Sequence, residues 1–160
     1  MTEPSAAISA AHPPELMLKV LNPALKAALK TPLGGFIGDF MLVSFTGRKS
    51  GRHYATPVSA HQLDGDLYVI LEAQWKHNFR DGADAQVSYR GKTATMHGEL
   101  ITDHAAVAAI CERVATSYGA KKAQRQMGMT FSSGRLPTIA EWEDAADRMK
   151  IAAIKLTSKA

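Results

Sequence analysis

An α+β fold is predicted, with a meandering sheet or small barrel at its centre and helices on its flanks. Three observations carry this. Five β-favouring runs follow one another on short turns within about sixty-five residues, 40–102. The last third of the chain places apolar residues at helical spacing. And 160 residues, 46% hydrophobic and 21% charged, are enough to bury a proper core, with neither disorder nor a fibre suggested. Residues 1–12, rich in Ala, Ser and Pro, read as a flexible leader, and 13–160 as a single domain.

Pro13 and Pro14 precede a helical stretch, Glu15–Leu21, with proline suited to its first turn. Asn22-Pro23 caps one piece and starts another, which runs to Lys30 before Pro32 stops it. Lys19, Lys26 and Lys30 share one helical face, with Leu and Ala opposite. Two readings stand: a surface helix covering the core, or a basic amphipathic helix making peripheral contact with an anionic membrane surface. Gly34-Gly35 and Gly38 form a flexible connection into Phe40–Phe45, the first strand. A turn at 46–52 leads to a strand over His53–His61, and Asp64-Gly65 signals a hairpin into the continuous apolar run Leu67–Leu71. Gln74–Gly82 breaks the β pattern and suits one helical turn with a glycine end. Ala85–Arg90 and Thr93–Thr102 are strands joined at Gly91-Lys92.

Asp103 caps a helix over Ala105–Tyr118, where Val107, Ile110, Cys111 and Val114 recur at helical spacing and Gly119 is the stop. Residues 120–129 continue as helix, Phe131–Pro137 is a loop, and Thr138-Ile139-Ala140-Glu141 is a capping-box pattern opening a short helix through Trp142. Lys150–Leu156 alternates well enough to close the sheet as a last strand.

The net charge of +4 favours an anionic ligand or surface without choosing one. No nucleic-acid-binding motif and no aromatic-rich basic stripe is present, so nucleic acid is not an expected partner. A single cysteine, Cys111, leaves no internal disulfide and fits a reducing cytoplasm; its Ala-rich helical setting suits a packed residue. No run reaches transmembrane length, and the N-terminus lacks a charged-then-apolar signal pattern, so a soluble, cytoplasmic protein is expected. The six histidines form no close metal-ligand cluster, and no metal is expected.

The chemistry concentrates in Thr46-Gly47-Arg48-Lys49-Ser50-Gly51-Arg52-His53-Tyr54-Ala55-Thr56-Pro57. Two glycines four apart enclose Arg-Lys-Ser at a strand end, a tight turn that lets a ligand approach the main chain. Consecutive turn amides suit an anion-holding nest, while Arg48, Lys49, Ser50 and Arg52 add charged and hydroxyl donors. Arg offers a planar fork and Lys a point charge, a pairing suited to phosphate. The plain alternative is a solvated hairpin turn whose basic side chains keep an edge soluble.

Four marks stand in order: Thr-Gly-Arg-Lys-Ser-Gly at 46–51, Thr56-Pro57, the Asp64-Gly65 hairpin, and Trp75-x-x-Asn78 before a strand. Over roughly 35–103 this series resembles the deazaflavin-dependent nitroreductase family, which includes F420H2-dependent quinone reductases on a split β-barrel of the flavin-reductase, FMN-binding-like kind. The resemblance implies F420 as cofactor and hydride transfer from reduced deazaflavin to an electron-poor acceptor, a quinone or nitro-aromatic. Carried over by position, Arg48, Lys49 and Ser50 would hold phosphate or tail carboxylates, with Arg52 as a further phosphate contact. Thr56 and Pro57 would border the ring system, and Trp75 and Asn78 would shape or hydrogen-bond the site, with Lys76 as a basic residue beside them. A homodimer is implied by the same resemblance.

The alternative role for Trp75 is a packing anchor, for Asn78 a local cap, and for Arg52 a solvent-facing charge. The chain departs from the family at Tyr54, where an arginine often stands, and at Leu71–Gln74, which run into Trp75 without a Gly-rich, Lys-containing loop. Two rival readings follow: FMN on the same barrel and turn, or a barrel that binds a small ligand without catalysis. Tyr118 and His77 are proton-donor candidates by residue type alone, and no catalytic residue is assigned.

Overall fold

Seven strands form one sheet among the residues that the computed structural model describes, which are 7–10, 26–28 and 39–159. The described residues cluster into two units, one drawn from Pro13–Val69, Ala73–Leu100 and Ile154–Ala160, the other from Met1–His12, Ile70–Glu72 and Ile101–Ala153. No helix among them is long and apolar enough to cross a membrane. The helix expected over 15–30, with its membrane contact, and the glycines at 34, 35 and 38 lie outside the described residues, except for Lys26–Ala28, which are helical.

The first unit is built on β2 (Phe40–Thr46), β3 (His53–Ser59), β4 (His61–Leu63), β6 (Ala83–Tyr89) and most of β5 (Asp66–Leu71), β7 (Lys92–Ile101) and β9 (Ala152–Ser158), with a 3-10 helix over Gln74–Phe79. The sheet order is β3-β2-β6-β7-β9-β5-β4, so β3 and β4 lie at opposite edges. Yet only Ala60 separates them in the chain. Adjacent Cα atoms lie about 3.8 Å apart, so the two edges meet at that residue and the sheet must curl round to bring them together. The Ala60 N–H donates to the Asp39 carbonyl at 2.9 Å and ties down the corner. No ladder joins β3 to β4, which leaves the barrel split. The single strand expected over 53–61 is thus broken at this corner.

Strand alternation then sorts the residues. Met41, Val43, Phe45, Ala85, Val87 and Met96 are buried and form one face. Ser44, facing the other way, pairs with Ala55 on β3 and Gln86 on β6, and Gln86 pairs with Thr95 on β7. Gly98 is a requirement of the core. A Cβ there would stand 2.6 Å from Phe79 Cδ1 and 3.2 Å from Leu156 Cδ2.

The second unit holds α1 (His104–Tyr118), α2 (Ala120–Met127) and α3 (Ile139–Met149) with a two-stranded sheet. Asp103 Oδ2 accepts the Ala106 N–H at 2.9 Å, the expected N-cap. The capping box also forms: Thr138 Oγ1 accepts from Glu141 N–H and Glu141 Oε1 from Thr138 N–H. This helix runs well past Trp142, because Ala145 and Ala146 extend its buried face. Lys150 in the left-handed region (φ 56°) ends it, so the last strand starts at Ala152 rather than at 150. Within the stretch read as a flexible leader, β1 (Ile8–Ala10) pairs antiparallel with β8 (Met129–Phe131), inside a segment expected to be helix and loop. Ile8 is fully buried, and Arg148 Nη2 donates to its carbonyl at 3.1 Å. Phe131 packs edge-on against the buried Trp142, ring centroids 5.8 Å apart.

Candidate functional site

The 46–52 turn closes on itself. The Gly47 N–H donates to the Arg52 carbonyl at 2.8 Å, and Gly51 N–H to the Gly47 carbonyl at 3.0 Å. Gly51 has φ +69°, and a Cβ on Gly47 would stand 2.8 Å from both Ser50 Oγ and the Tyr54 ring. Both glycines are therefore needed, one for its dihedral and one for the ring laid over it. The Arg52 N–H donates to Ser50 Oγ at 3.2 Å, and the Arg48 N–H to Asn78 Oδ1 at 2.9 Å. These bonds correct the expected nest: the turn ties up most of its own amides, so what it offers a ligand is mainly side chains.

The 3-10 helix comes to the same place. Asn78 accepts from the Arg48 amide through Oδ1 and donates through Nδ2 to the Trp75 carbonyl at 2.8 Å. Arg48 Nη1 in turn donates to the Arg80 carbonyl at 2.7 Å. Two bonds thus latch turn to helix. Arg80 Nη2 lies 3.1 Å from His77 Nδ1. A guanidinium can only donate, so in this contact Nδ1 is the acceptor.

Between turn and helix lies a cleft of about 790 Å³, lined by Arg48, Lys49, Ser50, Tyr54, Trp75 and His77 together with Gly47, Gln74, Asn78 and Arg80. Three permanent cations line it and no carboxylate does, so its field favours an anion. Aromatic rings give it an apolar side. Phe45 is stacked on Tyr54 at 5.5 Å and on Trp75 at 5.3 Å between centroids, and Phe79 meets Phe45 edge-on. Phe45 is buried, whereas Tyr54 is 43% exposed.

The cleft gathers five of the expected residues, Arg48, Lys49, Ser50, Trp75 and Asn78. It leaves out four. Thr56 and Pro57 pair with Val43 and Leu42, and their side chains point to opposite faces of the sheet. Lys76 is buried at 5% exposure and is absent from the lining, since successive residues of a helical turn do not share a face. The Arg52 side chain is exposed and absent from the lining, its main chain serving the turn.

No protein-family model matches the chain, and no curated protein does. Among solved structures the chain is similar to the conserved hypothetical protein Rv2991 from Mycobacterium tuberculosis, with 11% identity, a TM-score of 0.45, and 80% of this chain and 79% of that one covered. Another, described as a domain-swapped dimer, is 14% identical with a TM-score of 0.44, covering 89% of this chain and 94% of that one.

Sequence reasoning missed Arg80 and Tyr54 as lining residues and gave His77 no place. Arg80 follows Asn78 by two positions, and a basic residue at the end of the predicted turn was the available signal. Of the two proton-donor candidates, His77 lines the cleft, while Tyr118 sits on α1 with Lys122 Nζ 5.5 Å from its ring centroid.

Proposed function

We propose that this protein is an F420H2-dependent oxidoreductase of the nitroreductase and quinone-reductase type, holding the deazaflavin in the cleft between the 46–52 turn and the 3-10 helix. The supporting observation is a wall of three cations beside the Tyr54 and Trp75 rings in one cleft of about 790 Å³. That volume suits a drug-sized or larger ligand. The residues fit the group chemically: a flat ring packs on aromatic faces, and an acidic, phosphate-bearing tail meets guanidinium and ammonium groups.

When bound, the reduced deazaflavin supplies a hydride to an electron-poor acceptor such as a quinone or nitro-aromatic. The chain's own work is binding and orientation. Lys49 and Arg80 supply charge, and Arg48 keeps the two walls together while leaving further N–H groups for an anion. Tyr54 and Trp75 cover the ring and exclude water, and restricting the ring this way gains rate through proximity. The homodimer implied by the family resemblance belongs to this reading, and light scattering checks it.

Titration of the purified protein with F420, and in parallel with FMN, tests the proposal. The expected result is F420 binding that weakens with salt and falls about tenfold or more in Lys49→Ala or Arg80→Ala, the scale of one charge-assisted hydrogen bond. Binding of FMN alone would move the chemistry to flavin. Binding of neither overturns the redox reading.

A further inference from the structure

A second cleft, of about 520 Å³, has in its lining Ser44, Thr46, Asp84, Gln86 and Thr95, which alternate with the buried Phe45 and Ala85 on the same strands. One rung of the sheet crosses it: Ser44 pairs with Gln86 and Gln86 with Thr95, on three neighbouring strands. Strands lie about 4.8 Å apart, so residues bearing a hydroxyl, an amide and a hydroxyl stand side by side on neighbouring strands. The next rung adds Thr46 and His53, whose Oγ1 and Nδ1 lie 3.2 Å apart. Each of these groups can hydrogen-bond to a ligand, and none of them is a permanent charge.

Asp84 is the one carboxylate in the lining, and its charge is already matched. Lys159 Nζ lies 2.6 Å from Oδ2, and His97 Nδ1 lies 3.2 Å from Oδ1. The two clefts therefore differ in kind. One presents three unopposed cations; the other presents neutral donors and acceptors around a balanced ion pair. Tyr54 lines both.

We propose that the 520 Å³ cleft is a second small-molecule site, built for an uncharged flat ligand that carries hydrogen-bonding groups at two ends of a ring system. Such a molecule lies across β2, β6 and β7 with its polar ends on Ser44, Gln86 or Thr95. The spacing of one polar group per strand matches oxygens on opposite sides of a six-membered ring or of two fused rings. Because no net charge in the lining awaits a partner, affinity comes from hydrogen bonds and packing and does not respond to salt. The site stands whether or not the first cleft takes a deazaflavin, since it shares with that cleft only Tyr54.

The test uses a matched pair of probes, 6-hydroxy-2-naphthamide and the anionic 6-hydroxy-2-naphthoate, titrated into the isotope-labelled full chain and followed by amide NMR shifts. The neutral probe is expected to move the Ser44, Gln86 and Thr95 amides, equally at low and high salt. Gln86→Leu and Thr95→Val, each on the solvent side of a strand, are expected to weaken it about fivefold, the worth of one neutral hydrogen bond. Lys49→Ala is expected to leave it unchanged. Shifts confined to 47–50, tighter binding of the naphthoate at these same strands, unaltered affinity in both Gln86→Leu and Thr95→Val, or no binding at millimolar probe each overturn the proposal.

Discussion

The Arg48 main-chain N–H donates to Asn78 Oδ1 at 2.9 Å, joining residues 30 apart in the chain. The Arg48 guanidinium repeats the link by donating to the Arg80 carbonyl. Arg48 therefore acts first as a fastener between turn and helix. Asn78→Ala is expected to cost about 1 kcal/mol of stability by denaturant unfolding and to lower anion affinity in the cleft without touching the anion. Asn78→Asp keeps an acceptor for the Arg48 amide but loses the donor to the Trp75 carbonyl, so an intermediate loss is expected. If Asn78→Ala binds inorganic phosphate and unfolds as the parent does, the latch has no such role.

Gly98 is fixed by its neighbours. Its added Cβ would overlap Phe79 Cδ1 at 2.6 Å, and both Phe79 and Leu156 are fully buried. Gly98→Ala is expected to destabilise by about 2 kcal/mol through overpacking, read as a lowered denaturant midpoint. Phe79→Leu in the same background frees space and is expected to recover part of that loss.

His61 is buried at 2% exposure, and burial lowers its pKa from 6.5 to about 4. Between those values the unfolded chain holds a proton that the folded chain does not, so stability falls as pH drops below about 6.5. The loss from this group is about 2 kcal/mol by pH 5 and levels off below the folded pKa near roughly 3 kcal/mol. Unfolding curves between pH 7 and pH 5 are expected to show this slope, and His61→Leu to flatten it. An equal slope in both proteins would remove His61 from the account.

Cys111 is 1% exposed on α1, and burial pushes its thiol pKa up to about 12. The thiolate is the reactive form, so the native protein is expected to resist an aromatic disulfide reagent at pH 8 and to react once denatured. Fast labelling without denaturant would show that α1 opens readily.

Much of the fold could be read from the chain because its signals are local. The capping box at Thr138–Glu141, the Asp103 cap and the Asp64-Gly65 turn each depend on residues within one turn of each other. The 46–52 turn was legible for the same reason. What local signals do not carry is long-range pairing and facing. Nothing near Ile8 points to its partner Phe131, more than a hundred residues on. Thr56 and Pro57 adjoin in the chain, and as neighbours on a strand their side chains face apart. The charge of Lys76 is plain in the sequence, but its burial in the 3-10 helix is not. The Arg48–Asn78 bond needs the whole β3-to-β5 excursion to bring its ends together, so each residue could be named but not their union.

The corner at Ala60 has a mechanical consequence. Because one residue connects the sheet's two borders, the cylinder's curvature is enforced by covalent continuity and is not left to the fit of side chains inside it. Exchange of buried side chains can loosen or tighten the filling while the backbone still comes round to meet itself. A cut at this single peptide joint would remove the covalent link between the two edges. The lasting element of the architecture is then a short tether, and the variable element is what it encloses.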